Sequence, residues 1–271
     1  MTATTDPPAP VGLLVASARR VRIELLRFRR TREQVIFTFA LPVVLYILLA
    51  TVLDDEIGQT GIEFNQYLLA GLVASVALNV GVADLAPMLA LEKSDGTTKR
   101  LAGTPMPPAA YVIGKLGYVL VLATVQTAVL IVLGVAAFGT DLPDAEGWFT
   151  LGWVLVLGLT SAFLLGIAIS TLISNPKSAS SVVNFPFIIL QFISGIWFIF
   201  GELPGWLQGV ASLFPLRWMA LGMRSAFLPD SFAMVEPGGT WQLGNVALVL
   251  GIWTLGGLAV VMTRFRLRTE R

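Results

Sequence analysis

Cysteine and histidine are both absent from the 271 residues of this chain. That removes disulfides, thiol nucleophiles, imidazole bases and the commonest zinc ligands together. Charge is scarce as well, with Asp, Glu, Lys and Arg making up 13% of the residues against about 25% in average soluble chains. What abounds is apolar: 55% hydrophobic residues and a mean hydropathy of +0.79. Disorder, coiled coil, collagen and a small disulfide scaffold are excluded. The composition is that of a polytopic membrane protein of all-α class.

A hydrocarbon core about 30 Å thick needs about 20 apolar helical residues. Six runs qualify: Gln34–Leu53, Tyr67–Leu91, Leu116–Phe138, Trp148–Ile173, Ser180–Phe200 and Trp241–Met262. Their lengths suit helices rather than the strands of about ten residues in outer-membrane barrels. The first run is longer than a signal-peptide core and is preceded by 33 residues, so it reads as a retained span.

The net charge of +1 conceals a sorting by position. Residues 1–33 hold seven Arg; the 92–115 loop adds Lys93, Lys99, Arg100 and Lys115; Lys177 and the four Arg of the 263–271 tail complete sixteen of eighteen basic residues on one side. The opposite loops carry Asp54, Asp55, Glu56, Glu63, Asp141, Asp144 and Glu146. By the positive-inside rule both termini are cytoplasmic, in a multi-pass protein of the cell membrane.

Residues 1–10, with Pro7, Pro8 and Pro10, read as disordered. Residues 11–33 read as an amphipathic helix lying in the membrane interface. Leu14, Ala18, Val21, Leu25 and Phe28 form one stripe, and Arg19, Arg20, Arg27 and Arg30 lie opposite, where they meet anionic lipid headgroups. A nucleic-acid arm has no use for the apolar stripe, so no nucleic acid is expected. The six-span domain then covers 34–262. Within it, Pro204, Pro215, Pro229 and Pro237 cut 201–240 into two helices too short to span, Gly205–Phe214 and Leu216–Leu228. These are expected as extracellular re-entrant or interfacial helices, with Arg217 and Arg224 facing protein or water.

Gly114-Lys115 looks like the end of a phosphate-binding loop, but Leu116 stands where Ser or Thr is required and Ala109 where the leading Gly belongs. No cofactor is expected on this chain. The 92–115 loop, broken by Gly96, Gly103, Pro105, Pro107 and Pro108, fits either a docking element around Thr97–Ala102 or a solvated connector. Within the spans, Asp84 is the one acidic residue, about 12 Å before Glu92 along the helix. It fits an interfacial structural role or the lining of an inward-facing vestibule. Asn79, Gln126, Asn184, Gln191 and Ser194 fit interhelical hydrogen bonds or cargo contact, and Phe192 belongs to the aromatic and amide face of the fifth run.

The chain resembles the ABC-2 family of transporter permeases, in particular the drug-export membrane subunits of the daunorubicin-resistance type. The amphipathic helix before the first span carries part of the resemblance. Glu92, Gly96, Thr97, Lys99, Arg100, Leu101, Thr104, Pro105, Gly114 and Lys115 carry more, with one residue more between Glu92 and Gly96 than the commonest spacing. Ser194-Gly195, Leu203-Pro204, Trp206-Leu207, Pro215-Leu216 and Arg224 complete it. The resemblance implies one half of a type V exporter. Two six-span membrane subunits, from a second copy or a homologous permease, would be joined by two cytoplasmic ATPase subunits that hold the ATP and Mg. It places the ATPase contact at Arg27, Arg30, Arg32 and Glu33 of the connecting helix and at Glu92, Lys93, Gly96, Lys99, Arg100, Pro105 and Lys115 of the coupling loop. The cargo it implies is a hydrophobic or amphipathic drug or natural product, with a lipid or lipid-linked glycan as the alternative. An intramembrane enzyme lacks the acids, His, Cys or Ser–Lys pair it would need. An ion-driven carrier lacks the intramembrane acids and the inverted repeat.

Overall fold

A computed structural model describes residues 12–53, 56–58, 60–104 and 106–264. The expected disorder of 1–10, Pro105 of the 92–115 loop, Asp54 and Asp55, and Arg266, Arg268 and Arg271 of the tail lie outside the described residues. Ten helices are labelled here: α1 (Leu13–Arg30), α2 (Arg32–Val52), α3 (Phe64–Ser94), α4 (Thr97–Ala102), α5 (Pro108–Phe138), α6 (Ala145–Ser170), α7 (Ala179–Ile193), α8 (Gly205–Ala211), α9 (Pro215–Phe227) and α10 (Leu243–Arg264). The one β feature among the described residues is an isolated bridge between Glu56 and Glu63.

Among the described residues, five helices are long and apolar enough to cross a membrane: α2, α3, α5, α6 and α10. The fifth expected run is not one of them. Its helix, α7, stops at Ile193 after 15 residues, a rise of about 22 Å where about 30 Å is needed. Gly195 ends it, with φ +74 in the left-handed region where a side chain is strained. A further difference lies at α5, which begins eight residues before the expected Leu116. Pro107 and Pro108 read as breakers, yet Pro108 occupies the first helical turn, where its missing N–H costs nothing. The two short helices expected in 201–240 are present as α8 and α9.

α3 is the centre of the bundle and almost wholly buried, packed on α2, α5, α6 and α9. Its crossing with α6 is made by small residues. A Cβ on Gly81 would lie 2.7 Å from that of Ala162, and one on Gly166 would run into the Gly81 carbonyl. At this crossing α3 passes through a π-helical turn, Asn79–Asp84. α6 is opened by Asp144, whose Oδ1 accepts a hydrogen bond from the Gly147 N–H at 2.7 Å. α2 and α10 stand at the periphery, largely exposed along their apolar faces.

The chain breaks at Thr31 between α1 and α2. α1 lies along the first half of α5, and the face it turns inward differs from expectation. Ser17, Arg20, Glu24 and Phe28 are buried, while Leu14 of the expected stripe is 82% exposed. Arg20 is therefore not a headgroup contact. Glu24 on α1, Lys115 on α5 and Glu92 on α3 pair with the charges of this face and offset the cost of burying it.

Candidate functional site

At the end of α3, Glu92 gathers groups from two other helices, α1 and α5. Its Oε1 accepts hydrogen bonds from Arg27 Nη1 and Lys115 Nζ, both at 2.9 Å, and from Arg20 Nη2 at 3.4 Å. Its Oε2 accepts one from the Tyr111 hydroxyl at 2.6 Å. Glu24 adds a second carboxylate, its Oε1 2.9 Å from Lys115 Nζ and paired with Arg20 one helical turn away. The Tyr111 ring lies beneath both cations, 5.0 Å from the Arg20 guanidinium and 5.6 Å from the ammonium. Lys115 is 1% exposed, and only Arg27 reaches solvent.

Spacing builds this clasp. Arg20, Glu24 and Arg27 fall on one face of α1, and Tyr111 and Lys115 are four apart on α5. Gly114 lets the two helices approach, because a Cβ there would run into the Arg20 side chain. With three cations to two carboxylates, the clasp carries one surplus positive charge. Burial alone would make these charges costly; mutual pairing offsets that cost.

Beyond the clasp the chain turns outward. Gly96 adopts φ +76, and the Asp95 carboxylate accepts a hydrogen bond from the Thr97 N–H at 2.8 Å to start α4. Hydrogen bonding from the Thr97 side chain and N–H holds the Asp95 carboxyl below its usual range. Arg100 donates to the Thr97 hydroxyl at 3.0 Å. Lys93, Lys99 and Arg100 are exposed, as are Arg30 at the end of α1 and Arg32 and Glu33 at the start of α2. The structure thus divides the sequence-derived contact set. Glu92 and Lys115, with Arg27 at their edge, form an internal joint, and the remaining charged members form a surface.

The residues considered for a cargo pathway are not gathered in one place. Gln126 is buried and donates to the Thr38 carbonyl at 2.8 Å, tying α5 to α2. Ser194 is fully buried beside Gly195. Asn184 and Phe192 are exposed on α7 and Gln191 is half-buried there, while Asn79 and Asp84 bound the π-turn of α3.

A second clasp closes the opposite end of α3. Arg224, fully buried on α9, donates from Nη1 to Glu236 Oε1 at 2.6 Å and to the Tyr67 hydroxyl, and from Nη2 to the Gly195 carbonyl at 3.4 Å. Arg217 donates to Glu236 Oε2 at 3.0 Å and stacks 3.7 Å from the centre of the Phe200 ring. Burial, with Arg224 beside it, draws Arg217 down to about 10. The Tyr67 hydroxyl also accepts from the Phe200 N–H at 3.0 Å.

Sequence reasoning missed Arg20, Glu24 and Tyr111 of the first clasp and Tyr67 and Glu236 of the second. The i, i+4 pairs Arg20/Glu24 and Tyr111/Lys115 were the available signal. Nothing in the sequence pattern singles out Glu236.

The protein-family model described as ABC-2 type transporter matches residues 20–228, a stretch that begins at the first buried arginine of one clasp and passes the last of the other. Curated relatives agree. The chain is 24% identical over 235 residues to the inner membrane transport permease YadH of Escherichia coli K12, covering 86% of this chain and 91% of that one. It is 21% identical over 192 residues to the putative transport permease YvfS of Bacillus subtilis 168, covering 71% and 77%. It is 23% identical over 191 residues to the probable multidrug ABC transporter permease YbhR of Escherichia coli K12, covering 70% of this chain and 51% of that one. A family match over more than three quarters of the length, on a helical frame with five membrane-competent helices, decides the matter: this chain belongs to the ABC-2 type transporter family.

Proposed function

We propose that this chain is the membrane-spanning permease subunit of an ATP-driven exporter of hydrophobic or amphipathic compounds, energised by separate cytoplasmic ATPase subunits. The observation that carries the reading is the Glu92 clasp. It ties the end of α3 and the start of α5 to α1 at Arg20, Glu24 and Arg27, with the exposed charges of α4 projecting beyond it. A push on α4 then reaches the central helix without being lost in loop motion. Lys93, Lys99, Arg100, Arg30, Arg32 and Glu33 form the docking surface in this reading, and Glu92 and Lys115 transmit.

In this reading α7 and the turn after it make the fifth of six crossings, with α8 and α9 dipping in from the outer side. Both termini are cytoplasmic, in keeping with the basic residues of α1 and the 92–115 loop. The exposed apolar faces of α2 and α7, including Phe37, Leu41, Val44, Phe185 and Ile188, would meet lipid or a second permease copy. On α1, exposed Leu14, Val15 and Ile23 interleave with Arg19 and Arg22, a surface suited to anionic lipid headgroups.

Co-expression with the ATPase tests this. Lys99→Ala/Arg100→Ala should lower ATPase recovered with the permease at least tenfold and leave its thermal unfolding unchanged. Full recovery, with full cargo-stimulated ATP hydrolysis, would overturn the docking assignment.

A further inference from the structure

Between Tyr67 and Ala90 every residue of α3 is buried except Asn79, Asp84, Pro87 and Met88. In a plain α-helix, residues five apart sit about 140° from one another. The i→i+5 ladder of the Asn79–Asp84 turn reduces that angle and gathers the two polar residues toward one face. Pro87 and Met88 continue the line one turn further on. The most buried helix of the bundle thus keeps a single half-buried strip, and that strip carries its one acid above the Glu92 clasp.

The other buried carboxylates are heavily compensated. Glu92 meets three cations, Glu24 two and Glu236 two, and both clasps hold a surplus of positive charge. Asp84 forms no ion pair among the described residues, and its buried Oδ2 has no hydrogen-bond partner. A carboxylate left bare at membrane depth, in a protein with cations to spare, is open to a charge from outside.

We propose that Asp84 is the charge-recognition residue for cargo, taking the cationic head of a lipophilic organic cation, with the Asn79 amide beside it. This deepens the exporter reading and rests on it: the cargo class becomes positively charged amphiphiles. The apolar remainder of the ligand lies along Pro87 and Met88. Position sets the direction of entry, since Asp84 lies about 12 Å along the helix from Glu92, at the end of α3 that carries the coupling loop.

Tetraphenylphosphonium and tetraphenylborate share size and shape and differ in the sign of a permanent charge. Equilibrium binding of each to the full chain in lipid nanodiscs, without ATPase, tests the assignment independently of coupling. Wild type should bind the phosphonium at least tenfold tighter than the borate. Asp84→Asn should abolish that preference, and Asp84→Glu should retain most of it. Thermal unfolding provides a second readout, because Asp84→Asn removes an uncompensated charge and should leave the melting temperature unchanged or higher. Unaltered phosphonium preference in Asp84→Asn, no phosphonium binding by wild type, or a lower melting temperature with preference intact would each overturn the proposal. Failed ATPase recruitment would overturn the exporter reading alone.

Discussion

Lys115 Nζ sits 2.9 Å from both Glu24 Oε1 and Glu92 Oε1, so one ammonium bridges the helix before the first span to the end of the central one. The cation is 1% exposed, which makes the bridge a structural joint rather than a surface contact. Its charge balance sets how the joint responds to mutation.

Glu92→Gln leaves Arg20, Arg27 and Lys115 facing Glu24 alone. Removing one partner of a buried pair costs about 3–5 kcal/mol, and that loss should appear in thermal or denaturant unfolding of the purified permease. Lys115→Met is the informative contrast. It removes the surplus cation and leaves two positive and two negative groups, so its cost should be clearly smaller. Equal losses for the two variants would show that the clasp's charge surplus has no energetic weight.

α1 lies closely on α5 because positions 114 and 117 have no side chain: a Cβ at the first would run into Arg20 and at the second into Val21. Gly114→Leu should lift α1 away, expose Arg20, the one buried arginine of the helix, and speed tryptic cleavage at that residue at least several-fold. The spans themselves should stay resistant. The same digestion of an Ile113→Leu control, on an exposed flank of α5, should match wild type. A Gly114→Leu protein as resistant as wild type would mean that α1 is held by something other than this close approach.

How much of this was legible in the sequence depended on which signal each element carried. α2, α3, α6 and α10 followed from apolar run length, because a lipid-facing or core helix needs little else. α7 was overestimated because Ser194 and Gly195 are too small to interrupt a hydropathy run, although the backbone turns there. α5 was underestimated because Tyr111 and Lys115 read as loop polarity when they are helical positions aimed at Glu92. The 92–115 loop stood out through its charges, but whether a charge faces solvent or a partner 72 residues away, as with Arg20 and Glu92, is not a local property. On α1, Phe28 of the expected stripe is buried while Leu14 is exposed, and Arg20 turns inward to Glu24 on its own helix and to Glu92 on α3, a partner that no local pattern reveals.

At the other clasp the arithmetic is steeper. Glu236 alone faces Arg217 and Arg224, both almost wholly buried, and Arg217 Nη1 has no hydrogen-bond partner among the described residues. Glu236→Gln therefore leaves two like charges together with no counter-charge, and α9 should loosen from α3. The expected signature is a lower melting temperature together with faster hydrogen exchange across Pro215–Phe227. Tyr67→Phe, which leaves the buried Phe200 N–H and one Arg224 N–H without their acceptor, should cost about 1–3 kcal/mol. The double variant Arg217→Met/Glu236→Gln should then recover part of what Glu236→Gln loses, because one surplus charge replaces two. If the double variant proves less stable than Glu236→Gln, packing of Arg217 on Phe200, and not charge balance, is what holds α9 in place.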